Sequence, residues 1–138
     1  MKINLSDCVK PGMKKEAIFH VQDEHMAIHV GSGSSRVLAT PWMIAFMERA
    51  SHRMMSECLP EGFTSMGIHV DVRHLAPSPI GSTIRVIAEV LSVDGLQLTF
   101  EVQAWDEFEK IGEGQHSRYV VNQERFLKRV EGKLIEPD

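Results

Sequence analysis

Apolar and polar positions alternate with two different periods along this chain, and the change of period divides it into elements. Over residues 40–58, TPWMIAFMERASHRMMSEC, the residues Met43, Met47, Ala50 and Met54 recur at steps of four, three and four, and Phe46 widens the stripe. That spacing predicts one long amphipathic helix whose apolar stripe lies on a sheet. Thr40 stands where a helix cap is wanted, and Pro41 suits the first turn because its missing N–H would be unpaired there anyway. Leu59, Pro60, Glu61 and Gly62 make the break.

Downstream the period falls to two. In MGIHVDVRHL (66–75), Ile68, Val70 and Val72 share one face, while His69, Asp71 and Arg73 share the other. By the same parity His74 points with the apolar face. APSPIG (76–81) is a proline-rich turn, and STIRVIAEVLSV (82–93) presents Ile84, Val86, Ala88 and Val90 on one side. Asp94-Gly95 is a strong hairpin signal, after which LQLTFEVQAWD (96–106) returns with Leu98, Phe100, Val102 and Ala104 on one face. IGEGQHSRYVV (111–121) reads as the last long strand, with Gly112 and Gly114 on one face, where missing side chains let another element lie close.

Ahead of the helix, KEAIFHVQ (15–22) and HMAIHV (25–30) read as two short strands able to pair. Residues 1–13, broken by Pro11 and Gly12, read as a lead-in, and GSGSS (31–35) as a flexible loop above the helix start. From Asn122 the charged tail, with QERFLKRVEGK, reads equally as a short helix or a frayed strand. There is no βαβ alternation and no repeat. The layout is α+β, with one face of an antiparallel sheet covered by one helix, and residues 1–138 form a single domain.

Composition narrows the function. With 138 residues and 43% hydrophobic content the chain has enough material for one core and too little for two. A formal charge of -4, from 15 basic and 19 acidic residues, gives no electrostatic attraction to nucleic acid or to an anionic membrane. Cys8 and Cys58 lack metal-type spacing and read as reduced thiols. The first twenty residues carry no apolar run long enough for a signal peptide and no stretch approaches a membrane span, so a cytoplasmic protein is expected. GSGSSR is no dinucleotide fingerprint, because Arg36 occupies the third glycine position and no strand-to-helix turn surrounds it.

Glu48 is the first candidate for chemistry, a carboxylate inside the helix flanked by Phe46 and Met47, where it is partly desolvated. Read alone, it is an ordinary helix carboxylate pairing with His52 one turn on, or half of a metal site; HExxH is absent, and two ligands do not make a zinc site, so no metal is assigned. Thr40 alone is a cap, His74 alone a histidine at a strand end, and Arg118 and Arg73 solvated strand charges. His20, His25, His29, His69 and His116 read as surface or strand residues. The methionine stripe reads as core, although methionine also suits a pocket for a flexible acyl chain.

Three blocks in order, ATPWMIAFME (39–48), TSMGIHVDVRHLAPSPIG (64–81) and AWDEFEKIGEGQHSR (104–118), resemble the hot-dog-fold acyl-CoA thioesterases of the fluoroacetyl-CoA thioesterase type. The resemblance covers residues 15–125. It implies a hot-dog fold, an antiparallel sheet wrapped around one long central helix, in a homodimer with the active site at the interface. It also implies a catalytic group of Thr40, Glu48 and His74, with Gly67 and Arg118 contacting the substrate. The residue types fit thioester hydrolysis. A shielded carboxylate can act as base or nucleophile, a histidine can pass a proton to a leaving thiolate, and a threonine at a helix N-terminus offers a hydroxyl where negative charge is favoured. No cofactor is implied, since CoA is part of the substrate.

The sequence departs from that family in the loop before the helix. The fluoroacetyl-CoA enzyme has aromatic bulk there, whereas Gly31 and Ser34 stand here, so a small or medium acyl group without fluorine fits equally. Two other functions share the fold: an acyl-CoA or apolar-ligand binding protein without turnover, and an enoyl-CoA hydratase-like enzyme. The helix adds a constraint of its own. Thr40 and Glu48, eight residues apart, are separated by about 12 Å along the axis. A site that uses both must either spread along the substrate or draw them from different subunits, and a two-fold interface, which supplies two such mixed sites, favours the second.

Overall fold

A computed structural model describes residues 2–135. Five antiparallel strands form one sheet in the order β1-β3-β4-β5-β2, with β1 Lys14–His20, β2 Phe63–His74, β3 Thr83–Asp94, β4 Gln97–Trp105 and β5 Lys110–Asn122. Four α-helices accompany them: α1 Leu5–Cys8, α2 Ala27–Val30, α3 Thr40–Cys58 and α4 Gln123–Gly132. No helix among the described residues is long and apolar enough to cross a membrane.

The α3 stripe meets the sheet as its spacing requires. Met43, Phe46, Met47, Ala50 and Met54 are all buried, against Ile84, Val86, Ala88 and Val90 of β3 and Leu98, Phe100, Val102 and Ala104 of β4. Each Met, Phe, Ile, Val or Leu among these contributes about 1.5–3 kcal/mol through its removal from water, so this face holds the helix in place. Gly112 provides the close approach expected of it, because a Cβ there would run into the Met43 sulfur. Gly114 serves a different contact: its φ is +155°, and a Cβ would strike the β2 backbone at Asp71 and Val72 rather than the helix.

Two expectations change and one open alternative is settled. The run 25–30 is not a strand: Asp23–His25 is a 3₁₀ turn, α2 follows, and Gly31 at φ 82° closes it in the left-handed conformation. Its only ladder contact is one bridge from Met26 to Leu38, so Ile28 and Val30 remain exposed. The lead-in is also part of the core, since Leu5 and Val9 are buried and Gly12 and Met13 bond to Val90. The tail resolves as helix α4, capped by the Asn122 side chain on the Arg125 N–H, and it buries no residue.

Candidate active site

Gly67 and His74 lie on β2, an edge strand paired only with β5, and Thr40 and Glu48 of α3 and Arg118 of β5 meet it there. Its register slips by one between Gly67 and His69, leaving Ile68 as the extra residue of a bulge. Beyond the slip, Val70, Val72 and His74 pair with His116, Gly114 and Gly112. His74 therefore shares a face with the valines, as parity predicts. The apolar face is nevertheless open at its centre: Ile68 is 50% and Val70 39% exposed.

At the far end of β2 stand Thr40 and His74. Thr40 is not the helix cap. Ala39 takes that position, at φ -69° and ψ 140°, with its N–H tied to the His25 carbonyl and its own carbonyl accepting from Trp42 and Met43. Thr40 becomes the first helical residue, which frees its hydroxyl from capping, and Oγ1 lies 2.8 Å from His74 Nδ1. Burial pushes the His74 pKa below its usual value, with the nearby Ala76 backbone offsetting part of the shift. His74 Nε2 is buried and makes no hydrogen bond within the protein. Around this pair is a cavity of about 410 Å³ lined by Ser32, Gly33, Ser34 and Ser35 from the loop before α3 and by Ala76 and Pro77 after β2. The GSGSS segment thus lies over the helix start, as expected.

Nearer the middle of β2 stands Glu48. Its side chain is 43% exposed, and its partner is not His52: Oε2 lies 3.8 Å from Arg118 Nη1. The carboxylate rests on Gly67, where a Cβ would come within 2.6 Å of Oε2, so only glycine leaves it this seat. Arg118 is 5% exposed, far from the solvated charge that its position in a polar strand suggests. Burial pulls its pKa down and Glu48 pushes it back, and a guanidinium stays charged under both. Ser65 accepts from it through both Oγ and the backbone carbonyl, at 2.8 and 2.9 Å.

The structure thus brings the predicted residues together as two groups, Thr40 with His74 and Glu48 with Gly67 and Arg118. Gly67 and His74 face Arg118 and Gly112 of β5, six residues apart, or about 20 Å along the strand. Within one chain the two groups share no hydrogen bond or ion pair among the described residues. Sequence reasoning missed Ser65 and His116, which hold Arg118 in place. The signal was available in part, because His116 lies two residues before Arg118 on the same face of the strand. His25 was also misjudged as a surface or strand residue: it is buried against Trp42 and Phe46. No cluster of three or more metal-ligating side chains is found among the described residues.

Residues 21–124 match the sequence family described as fluoroacetyl-CoA-specific thioesterase. The chain is 40% identical over 97 residues to the fluoroacetyl-CoA thioesterase of Streptantibioticus cattleyicolor, a match covering 70% of each protein. A solved structure of the fluoroacetyl-CoA thioesterase FlK superposes with a TM-score of 0.86 at 32% identity, covering 94% of this chain and 98% of that one. A hot-dog-like protein from Thermanaerovibrio acidaminovorans superposes with a TM-score of 0.89 at 21% identity, covering 98% and 100%, and shares the fold. The sheet packed on one long helix is a hot-dog fold, as the sequence motifs implied.

Proposed function

This chain belongs to the fluoroacetyl-CoA-specific thioesterase family, and on that premise we propose that it hydrolyses small or medium acyl-CoA thioesters at a site shared between two copies. The observation that carries the proposal is the division of the candidate residues: a carboxylate seated on Gly67 beside Arg118, and a Thr40–His74 pair whose His74 lies about 20 Å from Gly67 along β2. A homodimer reconciles them. The unpaired edge of β2 exposes Ile68 and Val70, which an antiparallel β2 of a second copy would cover. A two-fold axis near Val70 and Asp71 sets Gly67 of one chain opposite His74 of the other, because paired positions across such an axis sum to a constant. Each of the two sites then holds Glu48 from one subunit and Thr40 with His74 from the other.

In such a site Glu48 takes a proton from water as the water oxygen attacks the thioester carbonyl carbon. Collapse of the tetrahedral intermediate breaks the C–S bond, and the departing thiolate takes up the proton, giving free acid and CoA. When the Thr40 hydroxyl donates to His74 Nδ1, the neutral imidazole carries its proton on Nε2. That N–H, buried and without a partner in the protein, is the donor this reading assigns to the developing oxyanion or thiolate. Arg118 provides fixed positive charge beside the carboxylate. The small residues of the 31–35 loop leave the acyl end without aromatic bulk, which supports acyl groups beyond fluoroacetyl. No cofactor or metal enters these steps, and the setting proposed is the cytoplasm.

The test is a panel of acyl-CoAs of increasing chain length, assayed for free thiol, with the parent and Glu48→Gln proteins side by side. The parent should release thiol from short and medium chains, and Glu48→Gln should lose about 10²- to 10⁴-fold in kcat with its melting temperature unchanged. Binding without thiol release would make the protein a carrier, loss of enoyl-CoA absorbance without thiol release would make it a hydratase, and an unimpaired Glu48→Gln would remove the base assignment.

A further inference from the structure

The Arg118 guanidinium is held so that one direction remains for it to face. Nε and Nη2 donate to Ser65, and Nη1 sits 3.1 Å from His116 Nε2 and 3.8 Å from Glu48 Oε2. A guanidinium has only donors, so His116 Nε2 is the acceptor and carries no proton. The other ring nitrogen, Nδ1, lies 2.9 Å from the His69 carbonyl oxygen, which can only accept, so Nδ1 carries the proton. Together the two contacts define a neutral imidazole in one tautomer. The ring has no room to leave: it is 1% exposed, stacks on Phe100 at 6.5 Å, and has Cε1 3.1 Å from the place a Gly67 Cβ would occupy.

We propose that His116 is a positioning residue for the thioester chemistry: as the neutral Nδ1–H imidazole it accepts from Arg118 and thereby holds the guanidinium beside Glu48. His116 has this role only if Glu48 is the base proposed above. Protonation would reverse it, because an Nε2–H would face the Arg118 donor and place two cations in contact. The charged and titratable groups acting on the ring are Arg118 on its own strand, Glu48 on α3 and His69 on β2, while His52 on α3 stands against Arg118; β4 contributes the uncharged Phe100. Burial lowers the His116 pKa, the His69 carbonyl and Glu48 oppose this, and Arg118 adds to it, so the neutral form persists somewhat below the ordinary histidine range. The Nη1 end of Arg118 is then held by His116 at neutral pH and loses that acceptor in acid, while Ser65 keeps Nε and Nη2.

The experiment compares the parent, His116→Leu and His116→Gln in kcat and KM on the most active acyl-CoA between roughly pH 5 and 8. Leucine removes the acceptor and should lower kcat/KM by about 10- to 100-fold, the range for losing a hydrogen bond to a charged group. Glutamine, whose side-chain oxygen can accept from Arg118, should recover most of that loss and should remove one ionisation from the acid limb. Equal impairment of the Leu and Gln variants, or a Leu variant within about twofold of the parent at every pH, would overturn the positioning role. Nitrogen chemical shifts of ring-labelled histidine in the parent enzyme read the tautomer without any turnover, and an Nε2–H form at neutral pH would also overturn it. Glu48→Gln measured in parallel separates the two claims: if that variant stays active the base assignment fails, whereas the tautomer measurement still stands or falls by itself.

Discussion

Strands β3 and β2 carry the same kind of alternating sequence and meet opposite environments. Ile84, Val86, Ala88 and Val90 of β3 are all buried under α3, whereas Ile68 and Val70 of β2 are half open to water. The difference follows from position: β3 has strands on both sides, and β2 lies at the sheet edge with β5 as its sole neighbour. Alternation reports that a strand face is apolar, without reporting whether its own chain or a second one covers it. The residues proposed for chemistry gather along the strand whose face is left open. On this account the dimer contact and the active site occupy one surface.

Charge substitutions should separate the two strands most sharply. Val86→Asp puts a carboxylate into the closed core, at a cost of several kcal/mol against the roughly 5–15 kcal/mol that holds a domain folded, so the chain should fail to fold. Val70→Asp at the open edge should instead give a folded monomer without thioesterase activity. Circular dichroism, light scattering and thiol release together check the pair. A Val70→Asp protein that stays oligomeric and fully active would show that the β2 edge is not the interface.

A smaller effect should appear in acid at the His74 end of β2. Burial lowers the folded-state pKa of His74, so the imidazole stays neutral to a pH below the ordinary histidine value. As pH falls through 6.5 the unfolded chain takes up this proton before the folded one, and stability is lost until the folded group also titrates. The pH dependence of the melting temperature should therefore be shallower in His74→Gln than in the parent over that window. A parallel dependence in the two proteins would mean that His74 is not held neutral by its surroundings.

Local pattern rendered the core legible. The α3 stripe and the β3 and β4 faces follow from spacing alone, since steps of three and four or of two leave one way to bury the apolar side. It failed where a contact from elsewhere decided the outcome. Capping preference favours Thr40, yet the chain enters the helix through Ala39, whose N–H is held by the His25 carbonyl, and the Thr40 hydroxyl lies against His74 instead. Neighbour rules on a helix pair Glu48 with His52, whereas β5 brings Arg118 to it across the fold. The 25–30 run has the composition of a strand but no neighbouring strand to join, and Gly31 closes it as a helical turn. The motifs single out Thr40, Glu48, Gly67, His74 and Arg118 as candidates, while the fixing of Arg118 by Ser65 and His116 needed the sheet register.

Subunit complementation tests the shared site most directly. Thr40→Ala and Glu48→Gln proteins, each inactive, are mixed under conditions that exchange subunits, and mass spectrometry follows heterodimer formation. A mixed dimer contains one intact site and one doubly damaged site, so at statistical exchange about a quarter of the parent rate should return. If heterodimers form and the mixture remains inactive, Thr40 and Glu48 act within one chain and the two-copy site is wrong.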